Sequence, residues 1–171
     1  MESKIFDELV NKAQSGDAIA QCTLALLYIQ GRVVEKDPLQ AAHWYKLAAE
    51  QNNSAAQYNL ADLYLRGSGV ERNVEKAIEL FSSAFENGDF DAAFCVGLIY
   101  DRGDGVPQDL EKAFHWYKLA AENGSARAQY DLAVMHREGR GTTQDAERAD
   151  FWFRQAADNG VLMAQRELRP D

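Results

Sequence analysis

Cysteine is scarce in this chain. Cys22 and Cys95 are the only two among 171 residues, and they are read as reduced thiols packed as small apolar groups rather than as a redox pair. Cations are also in deficit: 18 Lys and Arg face 27 Asp and Glu, for a net charge of −9. That balance excludes a nucleic-acid surface, because affinity for nucleic acid comes largely from cations neutralising its phosphates. A basic or neutral protein partner fits it better. Long apolar runs are missing too. Leu24 to Ile29 is among the longest, far short of the ~20 residues of a membrane helix, so no membrane insertion is expected. The opening MESKIFDELV has no basic stretch followed by an apolar one and does not read as a secretory signal. The expected location is therefore cytoplasmic, unless an export signal precedes this sequence.

Groups that carry chemistry are equally thin. His43, His115 and His136 stand 72 and 21 positions apart, whereas a zinc site needs three or four convergent ligands. Gly67-Ser-Gly69 and Gly103-Asp-Gly105 lack the glycine spacing and preceding strand of a phosphate loop, and read as turns. No catalytic residue, metal or cofactor is expected.

What the chain has is a period of 36 residues. Tyr28, Tyr64, Tyr100 and His136 form one column, followed three positions on by Gly31, Gly67, Gly103 and Gly139. The same frame aligns Ala20, Ala56, Ala92, Ala128 and Ala164. It also aligns Trp44, Leu80, Trp116 and Trp152, and behind them Tyr45, Phe81, Tyr117 and Phe153. A fixed period of this size marks a solenoid, whose units bury their apolar faces by stacking on one another. It also separates Cys22 from Cys95 by about four helices of roughly 8–10 Å each, beyond disulfide reach.

Residues 90–124 show one unit. Ala92, Val96, Ile99 and Tyr100 recur with the stripe of an amphipathic helix, here helix A. Gly103 and Gly105 turn the chain, and Asp109 caps helix B, which runs from about Leu110 to Asn123. Ala113, Trp116, Tyr117, Ala120 and Ala121 point inward, with the alanines allowing close approach and the aromatics filling the remaining space. The Asn-Gly pairs at 87–88, 123–124 and 159–160 follow helical patterns and are read as helix ends rather than hairpins.

These residues resemble a known family. An Ala126-x-Ala128-Gln129-Tyr130-x-Leu132-Ala133 start, a Tyr100-x-x-Gly103-x-Gly105-Val106 turn and a Lys112-Ala113-x-x-Trp116-Tyr117-x-x-Ala120-Ala121-x-x-Gly124 end are similar to the Sel-1-like repeat (SLR) family, a relative of the tetratricopeptide repeats. The resemblance implies an all-α fold, a right-handed superhelical α-solenoid of antiparallel helix pairs. One array is expected: an N-terminal half-repeat over 1–16, repeats over 17–52, 53–88, 89–124 and 125–160, and a C-terminal half-repeat over 161–171. Departures from the pattern mark local differences. Val33 occupies the position of Gly69, Gly105 and Gly141, so the first turn should differ in shape. His136, Thr142 and Thr143 suggest a looser fourth unit.

The columns that vary between repeats are free to meet a partner. On helix A these include Asn59, Asp62 and Arg66, then Cys95, Leu98 and Arg102, then Asp131. Tyr58, Phe94 and Tyr130 stand beside them, either as a contact ladder or as packing between units. The resemblance implies a non-catalytic scaffold or adaptor that binds a protein or peptide on the concave face, since similar arrays assemble complexes in bacterial signalling, envelope biology and host interaction. One branch neutralises toxins delivered between bacteria, so an immunity protein is the alternative. A disulfide-rich secreted branch was once described as β-lactamases, but it carries a cysteine pair in each repeat, and here Ser82 and Ser83 are followed three residues on by Phe85 and Glu86 rather than by lysine.

Overall fold

The glycine column sets the end of every complete helix A. Gly31, Gly67, Gly103 and Gly139 adopt φ of 65°, 67°, 68° and 68°, and their N–H groups donate to the carbonyls of Leu27, Leu63, Ile99 and Met135. A left-handed residue at this position is the usual way to stop a helix, and glycine reaches it without a Cβ clash. Six residues later the chain turns back. The carbonyls of Tyr28, Tyr64, Tyr100 and His136 accept from the N–H groups of Asp37, Asn73, Asp109 and Asp145 at 2.8–3.0 Å. Those four residues then cap helix B: their side chains accept from the N–H groups of Gln40, Lys76, Lys112 and Arg148 at 2.8–3.0 Å.

The computed structural model describes residues 2–168, which form ten helices and no strand. Two units are distinguished, Met1–Asp89 and Phe90–Asp171. The first holds α1 (Glu2–Gln14), α2 (Ala18–Gln30), α3 (Pro38–Ala49), α4 (Ser54–Arg66) and α5 (Val74–Glu86). In it α2 packs on α3 and α4 on α5, with α1 against α2 and α3 against α4. The second holds α6 (Asp91–Arg102), α7 (Leu110–Glu122), α8 (Ala126–Glu138), α9 (Ala146–Asp158) and α10 (Leu162–Glu167). There α6 pairs with α7 and α8 with α9, while α7 meets α8 and α9 meets α10. The Asn-Gly pairs end helices as expected: Asn87, Asn123 and Asn159 are the C-caps of α5, α7 and α9. In the first repeat Asn52 takes the corresponding left-handed position at φ 60°, a conformation that asparagine tolerates better than most residues.

The core differs from the sequence expectation in one respect. Tyr45, Phe81, Tyr117 and Phe153 are 1%, 1%, 1% and 3% exposed and form the interior, together with alanines such as Ala41, Ala113 and Ala120. Trp44, Trp116 and Trp152 are only half-buried. Their rings pack edge-on against His43, His115 and Phe151, at centroid distances of 5.2, 6.0 and 5.0 Å. Neighbouring positions on a helix point about 100° apart, so the tryptophan cannot share the full burial of the tyrosine that follows it.

A polar staple joins the repeats within each unit. The amides of Gln21, Gln57, Gln129 and Gln165 donate to the carbonyls of Ala13, Ala49, Ala121 and Ala157, eight residues back in the preceding helix B. The oxygens of Gln21, Gln57 and Gln129 accept from Gln51, Asn87 and Asn159 at the end of their own repeat's helix B, at 2.8–3.0 Å. Three helices are thereby tied through one side chain, and the buried amide is satisfied at both ends. The third repeat carries Ala93 at this position.

The two departures noted in the turns resolve differently. A Cβ on Gly69 or Gly141 would lie 2.1 Å from the Pro38 carbonyl oxygen or 2.0 Å from that of Leu110. Val33 is 60% exposed and is absent from the positive-φ positions of the described residues, so the first turn does differ in shape. The fourth turn closes like the second and third: Gly139 and Gly141 have φ of 68° and 66°, beside 67° and 71° for Gly67 and Gly69. His136 is 3% exposed, deeper than the half-buried tyrosines of its column. The turn grips this position through its backbone carbonyl, which tolerates the change of side chain.

Candidate functional site

The variable residues of helix A fall on one face of α4 in the first unit and on α6 and α8 in the second. On α4, Arg66 and Asp62 form an ion pair at 2.8 Å with side chains 71% and 34% exposed. Such a pair contributes little to stability and leaves the guanidinium open to a partner. Asn59 is half-buried and donates to the Ala55 carbonyl at 2.7 Å. Tyr58 meets the core ring of Phe81 edge-on at 5.1 Å.

On α6 and α8 the same arrangement recurs. Phe94 lies against Tyr117 at 5.6 Å, and Tyr130 against Phe153 at 5.6 Å. The three aromatics of the column are therefore wedged on the core with only part of each ring at the surface. Cys95 and Leu98 are half-buried beside them, and Arg102 is exposed at the end of α6. Cys22 and Cys95 are both reduced thiols.

The electrostatics single out the second unit. Asp101 accepts from the Arg140 guanidinium at 2.5 Å and from the Tyr117 hydroxyl at 3.4 Å. Asp131, half-buried nearby, has its carboxyl pushed up to about 6 by burial first and by the charge of Asp101 second, against the opposing pull of Arg140 and Arg102. Burial also raises the Tyr117 phenol, helped by the charges of Asp131 and Asp101. A strained acidic pair, a bound arginine, an exposed arginine and two aromatic edges thus share one surface of α6 and α8. Asp101 and Arg140 were not among the residues foreseen. A signal was present for Asp101, whose column reads Ile29, Leu65, Asp101, Arg137 without repeating, but not for Arg140, whose column begins with Arg32.

Among the described residues no three His, Cys, Asp or Glu side chains converge as a metal site, and His43 and His115 lie exposed on separate helices in separate units. No helix among the described residues is long and apolar enough to cross a membrane.

The Sel1 repeat family model matches four consecutive segments, 18–53, 54–89, 91–125 and 126–161. The chain belongs to the Sel1 repeat family. A Sel1 repeat protein from Oxalobacter formigenes is 35% identical over 98% of this chain and 69% of its own length, with a TM-score of 0.89. A protective antigen present in uropathogenic Escherichia coli strains, which displays an SLR fold, is 34% identical over 95% of this chain with a TM-score of 0.89, but the match spans only 35% of that antigen. The cysteine rich protein B of Helicobacter pylori is 25% identical over 81% of this chain and 99% of its own, with a TM-score of 0.61. Comparison with curated proteins found no match. The all-helical fold is thus that of SLR-fold solenoids. Sel1 repeat proteins generally mediate protein–protein interaction and are typically non-catalytic.

Proposed function

We propose that this Sel1 repeat chain is a non-catalytic scaffold or adaptor module, and that its second unit receives a protein or peptide segment bearing Lys or Arg on the surface of α6 and α8. The observation that carries this reading is Asp131. Its carboxyl is half-buried beside Asp101 and pushed up to about 6, which costs the uncomplexed chain stability near neutrality. A cationic side chain placed there would remove that cost and add a charge-assisted hydrogen bond. The flanking aromatics Phe94 and Tyr130 offer apolar edges of the kind that interfaces favour, and the net charge of −9 assists the approach of a basic segment.

The test is selection from a random-peptide display library, followed by affinity measurement against wild type, Asp131→Asn and Arg102→Glu. Enrichment of Lys- or Arg-containing peptides, with binding lost in Asp131→Asn at unchanged circular dichroism, is the expected result. Equal binding by both variants would remove the α6–α8 surface from consideration, and a failure to enrich any peptide would count against peptide recognition itself.

A further inference from the structure

Sharing no residue with that surface, a cavity of about 360 Å³ opens between α7, α8 and α9. Its walls are apolar: Phe114 and Leu132, with Phe151 and Trp152 on α9. His136 lines it, 3% exposed, with its ring edge-on to Phe114 at 5.1 Å. The Nδ1 atom of His136 is buried and has no hydrogen-bond partner. An unsatisfied buried polar atom is costly, and natural proteins hold few of them. Lys118 and Arg148 also line the space, each at its rim beside a carboxylate, Glu122 at 3.8 Å and Asp145 at 3.3 Å.

The repeat supplies an internal control. In the first unit a cavity of about 360 Å³ is lined by Ala42, Lys46, Leu60, Tyr64 and Val70 among others. Each stands 72 positions, two repeats, before Phe114, Lys118, Leu132, His136 and Thr142. The scaffold therefore places a cavity at five equivalent positions in both units, and only the later one has a buried imidazole, the three aromatic walls Phe114, Phe151 and Trp152, and a second cation, together with the carboxylate Glu122. The Nδ1 atom lacks a partner, and the exposed Lys118 and Arg148 can each turn from their surface carboxylates toward an anionic group held there. A volume of this size is at the small end of ligand sites.

We infer that the α7–α9 cavity binds an organic carboxylate carrying an aromatic or branched apolar group, which inserts against Phe114, Phe151 and Trp152 while its carboxylate faces His136, Lys118 and Arg148. A free small acid and the C-terminal residue of a peptide share this chemistry. The test is ¹⁵N–¹H NMR of the histidine imidazoles in the full chain, titrated with 3-phenylpropionate, with a pentapeptide ending in phenylalanine, and with the amide of each. The His136 resonances are expected to move with one or both acids, with at least tenfold weaker binding of the amides, while His43 and His115 stay in place. Response to the free acid alone identifies a small-molecule site, and response to the peptide acid identifies a C-terminus site. Arg148→Met and Lys118→Met alter exposed side chains and are each expected to weaken the acids about tenfold. The double variant His136→Tyr, Thr142→Val restores the repeat's own residue types and should abolish binding while circular dichroism is unchanged. No shift of His136 with either acid at 10 mM ligand, about the weakest range of interest for so small a site, overturns the proposal. So does equal affinity for acids and amides, or undiminished binding by Arg148→Met and Lys118→Met together.

Discussion

Replacing Asp131 by asparagine should stabilise the protein near neutral pH and lose that benefit in acid. The carboxyl rises from 3.8 to about 6, chiefly through burial and secondarily through Asp101. Since a tenfold change in proton affinity is worth 1.36 kcal/mol, ionised Asp131 costs the folded state up to about 3 kcal/mol relative to the unfolded chain. The sign follows from proton linkage. Between about pH 4 and 6 the folded state holds a proton that the unfolded state has released, so stability falls as pH rises through this window. Above it the deficit is complete, and below it the deficit vanishes. Asparagine has nearly the same shape and does not titrate. In urea the substitution should therefore raise the unfolding midpoint by about 1–1.5 M at pH 7.5, taking a slope of roughly 2 kcal/mol/M for a chain of this size. At pH 4 the two proteins should unfold within about 0.3 M of each other. Comparing variant with wild type cancels the titration of every group that the substitution leaves undisturbed. A midpoint difference that is the same at both pH values would refute the electrostatic account, and a less stable variant at pH 7.5 would show that Asp131 serves the fold.

Further expectations follow from the packing. Tyr117→Ala should cost about 3–5 kcal/mol and Trp116→Ala only about 1–2 kcal/mol, because the first ring is 1% exposed and the second half-buried; reversed costs in chemical unfolding would overturn the core assignment. Gly141→Ala places a Cβ 2.0 Å from the Leu110 carbonyl oxygen at a φ of 66° and should cost at least about 2 kcal/mol, while Val33→Gly, at an exposed position outside the left-handed region, should change the melting temperature little. Gln129→Leu removes bonds to Ala121 and Asn159 and should cost about 1 kcal/mol; no loss would mean that the staple is incidental. Incubation with penicillin followed by intact-mass measurement should show no covalent adduct, and a stoichiometric one would overturn the non-catalytic reading.

The apolar columns were legible because burial in a repeat protein repeats with the chain. Ala41, Tyr45 and Ala48 recur as Ala113, Tyr117 and Ala120 in the same buried positions, and a 36-residue alignment exposes them directly. The order of burial between adjacent aromatics was not legible. The Trp116–Tyr117 pair recurs as Trp44–Tyr45 and as Trp152–Phe153, and only the position of the next helix decides which ring goes inside. The glutamine staple escaped for a different reason. Gln21, Gln57 and Gln129 look like surface residues until their partners are seen, and those partners are backbone carbonyls together with side chains that change type, Gln51, Asn87 and Asn159. The Asp101–Arg140 pair spans 39 residues and matches no repeat offset, so a column alignment cannot join its members.

Exposure alone would not have separated the α6–α8 surface from the rest of helix A. Two aspartates of the fourth repeat make the distinction. Asp145 heads α9, where its carboxylate accepts from the Arg148 N–H at 3.0 Å, and this use of a charge supports the fold directly. Asp131 lies half-buried on α8, and of the two arginines that offset its charge, Arg140 is bonded to Asp101 and Arg102 is exposed at the end of α6. A carboxylate that stabilises a helix end is explained by the folded chain. One whose ionisation opposes folding is better explained by something outside the chain, and a partner's cation is the chemistry that would reverse its effect.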